Sequence, residues 1–245
     1  MENIIYGIRP VAEAISAGKI PEKVLIQKGL IGENFSILFR DIREKNIPYQ
    51  VVPVERLNKV AGSKHQGVVA YVSPIAYWKV EDVITNAWDS GDVPLLLILD
   101  GVTDVRNFGG IARAAECAGV HAIIIPQKNS AAVNAVSIKT SAGALNRIPV
   151  CKESNLLETI SFIRECGLKV IAATGNKRQN IYEANLRDPA AIIIGSEDRG
   201  ISKACLKMSD FEVNIPMEGK TASLNVSVAA GVVLFEVMRQ RRYAQ

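Results

Sequence analysis

Five short apolar runs recur through the second part of the chain, near residues 95–99, 121–126, 168–173, 190–195 and 211–215. Between them, near 108–119, 154–166, 202–208 and 223–242, apolar positions return at helical spacing. The runs Leu95-Leu96-Leu97-Ile98-Leu99 and Ala191-Ile192-Ile193-Ile194 are apolar at every position. Continuous runs of this kind predict strands buried on both faces, in a parallel sheet with helices on either side. The first 72 residues repeat the alternation on a smaller scale, with strands predicted over Lys23–Gln27, Tyr49–Pro53 and Gly67–Val72 and a helix over Asn34–Lys45. That is a small α/β module. Between the two regions the periodicity breaks at Ser73-Pro74, two aromatics (Tyr77, Trp78) and Asp89-Ser90-Gly91-Asp92. Such a stretch predicts a linker over 76–91, with a short helix at Val80–Trp88. The expected division is a domain over 1–75, the linker, and a domain over 92–245. Periodicity alone makes the larger domain Rossmann-like, yet no GxGxxG follows a strand, and the adjacent Gly109-Gly110 is a weak substitute.

Composition narrows the classes. At 245 residues the chain can bury one large or two modest cores. Its longest apolar runs are a handful of residues, against roughly 20 for a membrane-spanning helix. The start carries Glu2 and Glu13 and has no basic segment leading into an apolar one, so a secretion signal is not expected and the protein is read as cytoplasmic. Cys117, Cys151, Cys166 and Cys205 form no CxxC pair, and His65 and His121 are the sole histidines. No disulfide framework or metal is expected, and each cysteine reads as a small buried hydrophobe. The net charge of +4 is mild, with ten Lys/Arg against seven Asp/Glu in residues 1–75 and Arg239, Arg241 and Arg242 near the C-terminus. Some of these charges are candidates for a phosphate path.

Candidate chemistry gathers where apolar strands end. Asp100-Gly101-Val102-Thr103-Asp104-Val105-Arg106-Asn107-Phe108-Gly109-Gly110-Ile111-Ala112-Arg113 follows the first long run, and Gly195-Ser196-Glu197-Asp198-Arg199-Gly200 follows the 191–194 run. Val213-Asn214-Ile215-Pro216 leads through Met217–Ala222 into Ser223-Leu224-Asn225-Val226-Ser227. Open α/β sheets bind ligands at the carboxyl ends of their strands. Each feature also has a plain structural reading: Ser223 or Asn107 as a helix cap, Arg113 as a surface charge, Glu197 as a solvated carboxylate.

Together the three segments resemble motifs 1, 2 and 3 of the SpoU/TrmH RNA 2'-O-ribose methyltransferases. The opening Ile5-Tyr6-Gly7-Ile8-Arg9-Pro10 and the later Lys64-His65-Gln66-Gly67 resemble the small substrate-binding domain of the members that methylate a guanosine in large-subunit ribosomal RNA. Many relatives carry a Leu and an Ala where this chain has Phe108 and Gly110, and Asp198-Arg199 makes the second motif more charged than usual. The resemblance implies an S-adenosylmethionine-dependent enzyme acting on RNA, a tRNA rather than a ribosomal substrate being the alternative, and an inactive RNA-binding or ribosome-assembly factor the other. It implies an α/β fold whose C-terminal parallel sheet is tied in a trefoil knot of the SPOUT type. The crossing segments would be 172–177, 195–200 and 214–225. It also implies a homodimer. Asn107, Arg113, Glu197, Ser223 and Asn225 would then carry the catalytic site. The backbone around Gly195, Ile215 and Leu224, with Thr174 and Gly175, would hold the cofactor. No membrane and no metal are implied.

Overall fold

The computed structural model describes residues 3–175, 179–221 and 223–243, and these divide into two compact units, Met1–Pro74 with Ala132–Ala135, and Ile75–Ala131 with Val136–Gln245. In the first unit the order is β1 (Ile4–Tyr6), α1 (Ile8–Ser16), β2 (Lys23–Gln27), α2 (Glu33–Glu44), β3 (Tyr49–Val52), α3 (Val54–Ala61) and β4 (Val68–Tyr71). The sheet order is β1-β4-β2-β3, with β2 parallel to β3 and β4 antiparallel to both of its neighbours. Successive residues of a strand point to opposite faces, and β2 uses both. Val24 and Ile26 pack with Val11, Ile15, Leu38 and Ile42 of α1 and α2, while Leu25 packs with Leu57 of α3. β1, α1 and α3 were not among the expected elements.

The two N-terminal segments that carried the resemblance brace each other. Gly7 N donates to Val68 O (2.9 Å), and Ile8 N, at the start of α1, donates to Gln66 Oε1 (3.4 Å). His65 is buried: its Nδ1 accepts from Gly67 N (2.9 Å) and its Nε2 lies 2.9 Å from Asn58 Oδ1. An Nδ1 that accepts and an Nε2 that faces an oxygen define the neutral Nε2–H tautomer. This histidine therefore shapes a turn.

In the second unit the elements are α4 (Val80–Asp89), β5 (Leu95–Asp100), α5 (Val105–Cys117), β6 (Ala122–Pro126), α6 (Ala135–Thr140), a 3-10 turn (Ala144–Asn146) and β7 (Val150–Glu153). They continue through α7 (Leu156–Glu165), β8 (Lys169–Ala173), β9 (Ala190–Gly195), α8 (Lys203–Met208), β10 (Phe211–Val213) and α9 (Val226–Arg242). The sheet is wholly parallel in the order β10-β8-β9-β5-β6-β7. Leu96, Ile98, Ala191 and Ile193 share one core with Val80 and Ile84 of α4, Ile160 and Ile163 of α7 and Cys205 of α8. The alternate residues Leu95, Leu97, Leu99 and Ile192 are as deeply buried on the opposite face, where α5 and α9 pack on each other and α9 reaches β9.

Several expectations change. The stretch expected to be a linker is not one: α4 sits within it, as the short helix at Val80–Trp88 anticipated, and contributes Val80, Val83 and Ile84 to the core of the second unit. β7 was missed because Val150-Cys151-Lys152-Glu153 is a short edge strand with a polar half. Of the cysteines, Cys151 and Cys205 are buried, Cys166 is partly covered and Cys117 is exposed. Burial pushes the Cys151 thiol up to about 12 and raises that of Cys205 as well. Among the described residues no helix is long and apolar enough to cross a membrane.

The far end of α9 is fixed by one side chain. Arg241 donates from Nη1 to Val93 O (2.7 Å), from Nη2 to Asp188 O (2.6 Å) and Pro94 O (3.2 Å), and from Nε to Leu186 O (3.3 Å). These carbonyls belong to the segments entering β5 and β9. Next to it, buried Gln240 accepts from Leu186 N and donates to Ala184 O, both at 3.0 Å. A lysine cannot reproduce a fork that serves four acceptors. Arg241→Lys should cost on the order of 3 kcal/mol, about 5–10 °C in Tm for a unit of this size, measured by thermal unfolding. An unchanged Tm would show that the carbonyls are satisfied without the fork.

Candidate functional site

The chain leaves β5 toward β6 and β7 on one side and returns through β8 to β9 on the other, so β5 and β9 stand where the strand order reverses. Beyond the carboxyl ends of two such strands a crevice opens. Four segments meet there: the turns after β5, β8 and β9 and the stretch from β10 into α9.

The β5–α5 turn is set by Asp104, whose Oδ1 accepts from Arg106 N (2.9 Å) and Asn107 N (2.8 Å). Asp104 is thus the N-cap, and Asn107, which sequence alone allowed to be the cap, is the third helical residue. Freed from capping, its side chain turns to the crevice. Asn107 Nδ2 donates to Glu197 Oε1 (2.8 Å), and Asn225 Nδ2 donates to the same oxygen (2.8 Å) and to Asn107 Oδ1 (3.1 Å). Asn225 caps α9: its Oδ1 accepts from Ser227 N (2.9 Å) and Ser227 Oγ (2.6 Å). With Asn225 in that place, Ser223 lies two residues ahead of the cap, and the helix begins later than the predicted 223. One carboxylate and two carboxamides, drawn from all three motifs, are therefore locked together by charge-assisted hydrogen bonds.

Gly109 and Gly110 have a packing role. A Cβ on Gly109 would lie 2.7 Å from Thr140 Cβ and 2.8 Å from Ser137 O, and one on Gly110 would lie 3.1 Å from Ser227 Cβ. The pair lets α5 approach its neighbours closely. Arg113 stands outside the triad. It lies six residues beyond Asn107, about 9 Å along α5 and about 120° around it by helical geometry. Its side chain is exposed and makes no hydrogen bond or ion pair among the described residues.

Beside the triad lies a cavity of about 480 Å³. Thr174 and Gly175 after β8, Gly195 at the end of β9, Ile215, and Ser223 and Leu224 before α9 all line it, and Glu197 and Arg199 form part of its wall. All five residues expected to bind the cofactor thus border one space, with two of the expected catalytic residues, Glu197 and Ser223. Gly195 is fully buried, and a Cβ there would sit 2.1 Å from Gly200 C and 2.2 Å from Ile201 N. Ser196 and Gly200 exchange backbone hydrogen bonds (Gly200 N to Ser196 O, 2.9 Å; Ser196 N to Gly200 O, 3.2 Å), closing a tight turn that presents Glu197. Ser202 N donates to Asp100 Oδ2 (2.7 Å), tying the end of this turn to β5. Sequence alone assigned no role to Asp100 and Asp104, and marked Ser227 only with Ser223 and Asn225 as small polar residues where the last helix begins. Asp104 alone carries a local signal, an Asp directly ahead of a helix.

The SpoU rRNA methylase family matches residues 94–235, and the family of RNA 2'-O ribose methyltransferase substrate-binding domains matches residues 4–78. A TrmH-family protein of Staphylococcus haemolyticus, whose name gives tRNA or rRNA as substrate, is 36% identical over 98% of this chain and 97% of its own length. The 23S rRNA (guanosine-2'-O-)-methyltransferase RlmB of Yersinia pestis is 36% identical over 98% of both chains. The crystal structure of the SpoU methyltransferase AviRb from Streptomyces viridochromogenes, solved with the cofactor AdoMet, shares the fold (TM-score 0.62, 23% identity, 98% of this chain and 90% of that one). A crystal structure of an RNA 2'-O ribose methyltransferase matches 97% of this chain and 88% of its own (TM-score 0.55, 26% identity).

Proposed function

This chain belongs to the SpoU rRNA methylase family, and from that premise we propose that it transfers a methyl group from S-adenosylmethionine to the ribose 2'-hydroxyl of a guanosine in large-subunit ribosomal RNA. The observation that carries the reading is the Asn107–Glu197–Asn225 triad at the edge of the 480 Å³ cavity. The similarity to RlmB favours ribosomal RNA over tRNA.

The cavity fits a nucleoside-based cofactor. Its size lies within the roughly 300–1,000 Å³ of small-molecule sites. Ile215, Leu224 and Val213 offer apolar walls, and Gly175, with nothing within 4 Å of its Cβ position, leaves the backbone open. Thr174, Gly175, Gly195, Ile215 and Leu224 would hold the cofactor, whose sulfonium supplies an already activated methyl. The protein has to align the acceptor oxygen and ease loss of its proton. Asn107 and Asn225 hold the Glu197 carboxylate in one orientation, so a negative charge faces the crevice without reorganising. Ser223 adds a hydroxyl at the same edge. Arg113 brings a permanent charge with a planar fork, suited to an RNA phosphate and to the developing alkoxide and unsuited to accepting a proton. The 2'-proton leaves to phosphate or water.

The trefoil knot is part of this reading. Of its crossing segments, 176–177 and 222 fall outside the described residues. The pairing of the 179–181 stretch with Asn214 (Asn214 N to Gln179 O, 2.8 Å; Ile181 N to Asn214 O, 3.0 Å) supports close crossing beside β10. A homodimer is supported by α9, which buries Val226, Val233 and Val237 yet exposes Val228 (52%) and Phe235 (44%) seven residues apart on its outer side. A helix apolar on both sides wants a second partner. A cytoplasmic location is part of the same reading.

Incubation with methyl-labelled S-adenosylmethionine and separate pools of unmodified ribosomal RNA and tRNA tests the substrate. Label is expected in the large ribosomal RNA as 2'-O-methylguanosine. Label confined to tRNA would overturn the ribosomal assignment, and an absence of both transfer and cofactor binding at millimolar ligand would favour an RNA-binding factor without turnover.

A further inference from the structure

A second recess, of about 680 Å³, lies over the carboxyl ends of β5, β6 and β7, on the opposite side of the Ser196–Gly200 turn from the cofactor cavity. The two spaces share Ser196, Glu197, Arg199, Gly200 and Val226 as a common wall. Asn107 borders the second recess, and so does Asp198, which borders only this one. Methyl transfer brings acceptor oxygen and methyl carbon to about 3–3.5 Å, so the acceptor nucleotide must lie across a shared wall from the cofactor. Part of the remaining lining can read a base edge: Thr103, Asn129, Ser154 and Asn155 carry hydroxyls and carboxamides beside the apolar Val102, Pro126 and Leu156, and among the described residues no aromatic ring lines the recess.

Resting on the methyltransferase reading above, we propose that this recess receives the acceptor nucleotide and that the Asp198 carboxylate selects guanine. Guanine is the one RNA base whose Watson–Crick edge offers two adjacent donors, N1–H and an N2 amino hydrogen. A carboxylate accepts both in parallel, as arginine and carboxylate pair, whereas adenine, cytosine and uracil each place an acceptor at one of those points. Asp198 is exposed and makes no hydrogen bond or ion pair among the described residues, so its oxygens are not committed to the fold. Glu197, its chain neighbour, is committed to Asn107 and Asn225. The Ser196–Gly200 turn thus holds one carboxylate for the reacting centre and one for the base.

The test uses the full-length protein, S-adenosylmethionine and a large-subunit ribosomal RNA transcript. The nucleotide methylated by wild type is mapped first and then replaced by inosine, which lacks the N2 amino group. Wild type should lose about tenfold in kcat/KM on the inosine RNA, the worth of one good base contact. Asp198→Asn should lose about as much on the guanosine RNA and be indifferent, within twofold, to inosine, while keeping cofactor affinity and Tm. Asp198→Glu, which retains a carboxylate, should retain part of the discrimination. A mapped nucleotide other than guanosine, or an Asp198→Asn protein that discriminates as wild type does, overturns the base assignment and leaves methyl transfer standing. Wild type that methylates no RNA withdraws both.

Discussion

Replacing Arg113 by Ala should leave the protein folded, with cofactor and RNA binding nearly unchanged, and slow methyl transfer by about 100- to 1,000-fold, the usual loss for one preorganised electrostatic contact. The folded state has little to lose, because the guanidinium is exposed and makes no hydrogen bond or ion pair among the described residues. An interaction that strengthens only as charge develops on the 2'-oxygen lowers kcat and kcat/KM together and leaves ground-state binding alone. Arg113→Lys should fail almost as badly, since a compact ammonium cannot hold a phosphate and a ribose oxygen in one plane. Single-turnover rates at saturating cofactor and RNA are the measurement. Near-normal rates in the lysine variant would remove the geometric role and leave a simple counter-charge.

The parts of this fold that could be read from the chain are those whose signal is local and strong. β5 and β9 announce themselves because strands covered on both faces leave no polar position. β7 is an edge strand with Lys152 and Glu153 in its four residues, and α3 has Leu57 alone as a buried residue, so neither carries a clear period. At the site, Gly195 and Glu197 were expected through the resemblance, and Asn225 already from its place among small polar residues at a helix start. What joins them is not visible in one dimension: Asn107 reaches Glu197 across 90 residues and Asn225 across 118. The reversal of strand order that brings β5 beside β9 creates those contacts. Gly109-Gly110 was a weak signal in the sequence because close helix packing, which is its role here, and close ligand approach both demand a missing Cβ.

Gly195→Ala should be the most damaging single methyl group in the second unit. All three atoms nearest the new Cβ are backbone: Gly200 C at 2.1 Å, Ile201 N at 2.2 Å and Gly200 O at 2.3 Å. No side chain can rotate away, so the Ser196–Gly200 turn must shift as a body, and Glu197 moves with it out of reach of Asn107 and Asn225. Overpacking costs of about 1–3 kcal/mol, or roughly 3–10 °C in Tm, are expected. The functional loss should be larger, because the same turn walls both the cofactor cavity and the second recess. S-adenosylmethionine affinity should fall by about 100-fold and transfer should become undetectable. Gly200→Ala supplies the contrast: Gly200 has φ 65° with nothing within 4 Å of its Cβ position. There the cost is only that of a left-handed alanine, about 1–2 kcal/mol. Calorimetric titration of both variants separates the causes. If Gly195→Ala binds the cofactor as wild type does, the turn is not the rigid wall that its contacts imply. If Gly200→Ala proves the worse of the two, backbone conformation rather than close approach governs this turn.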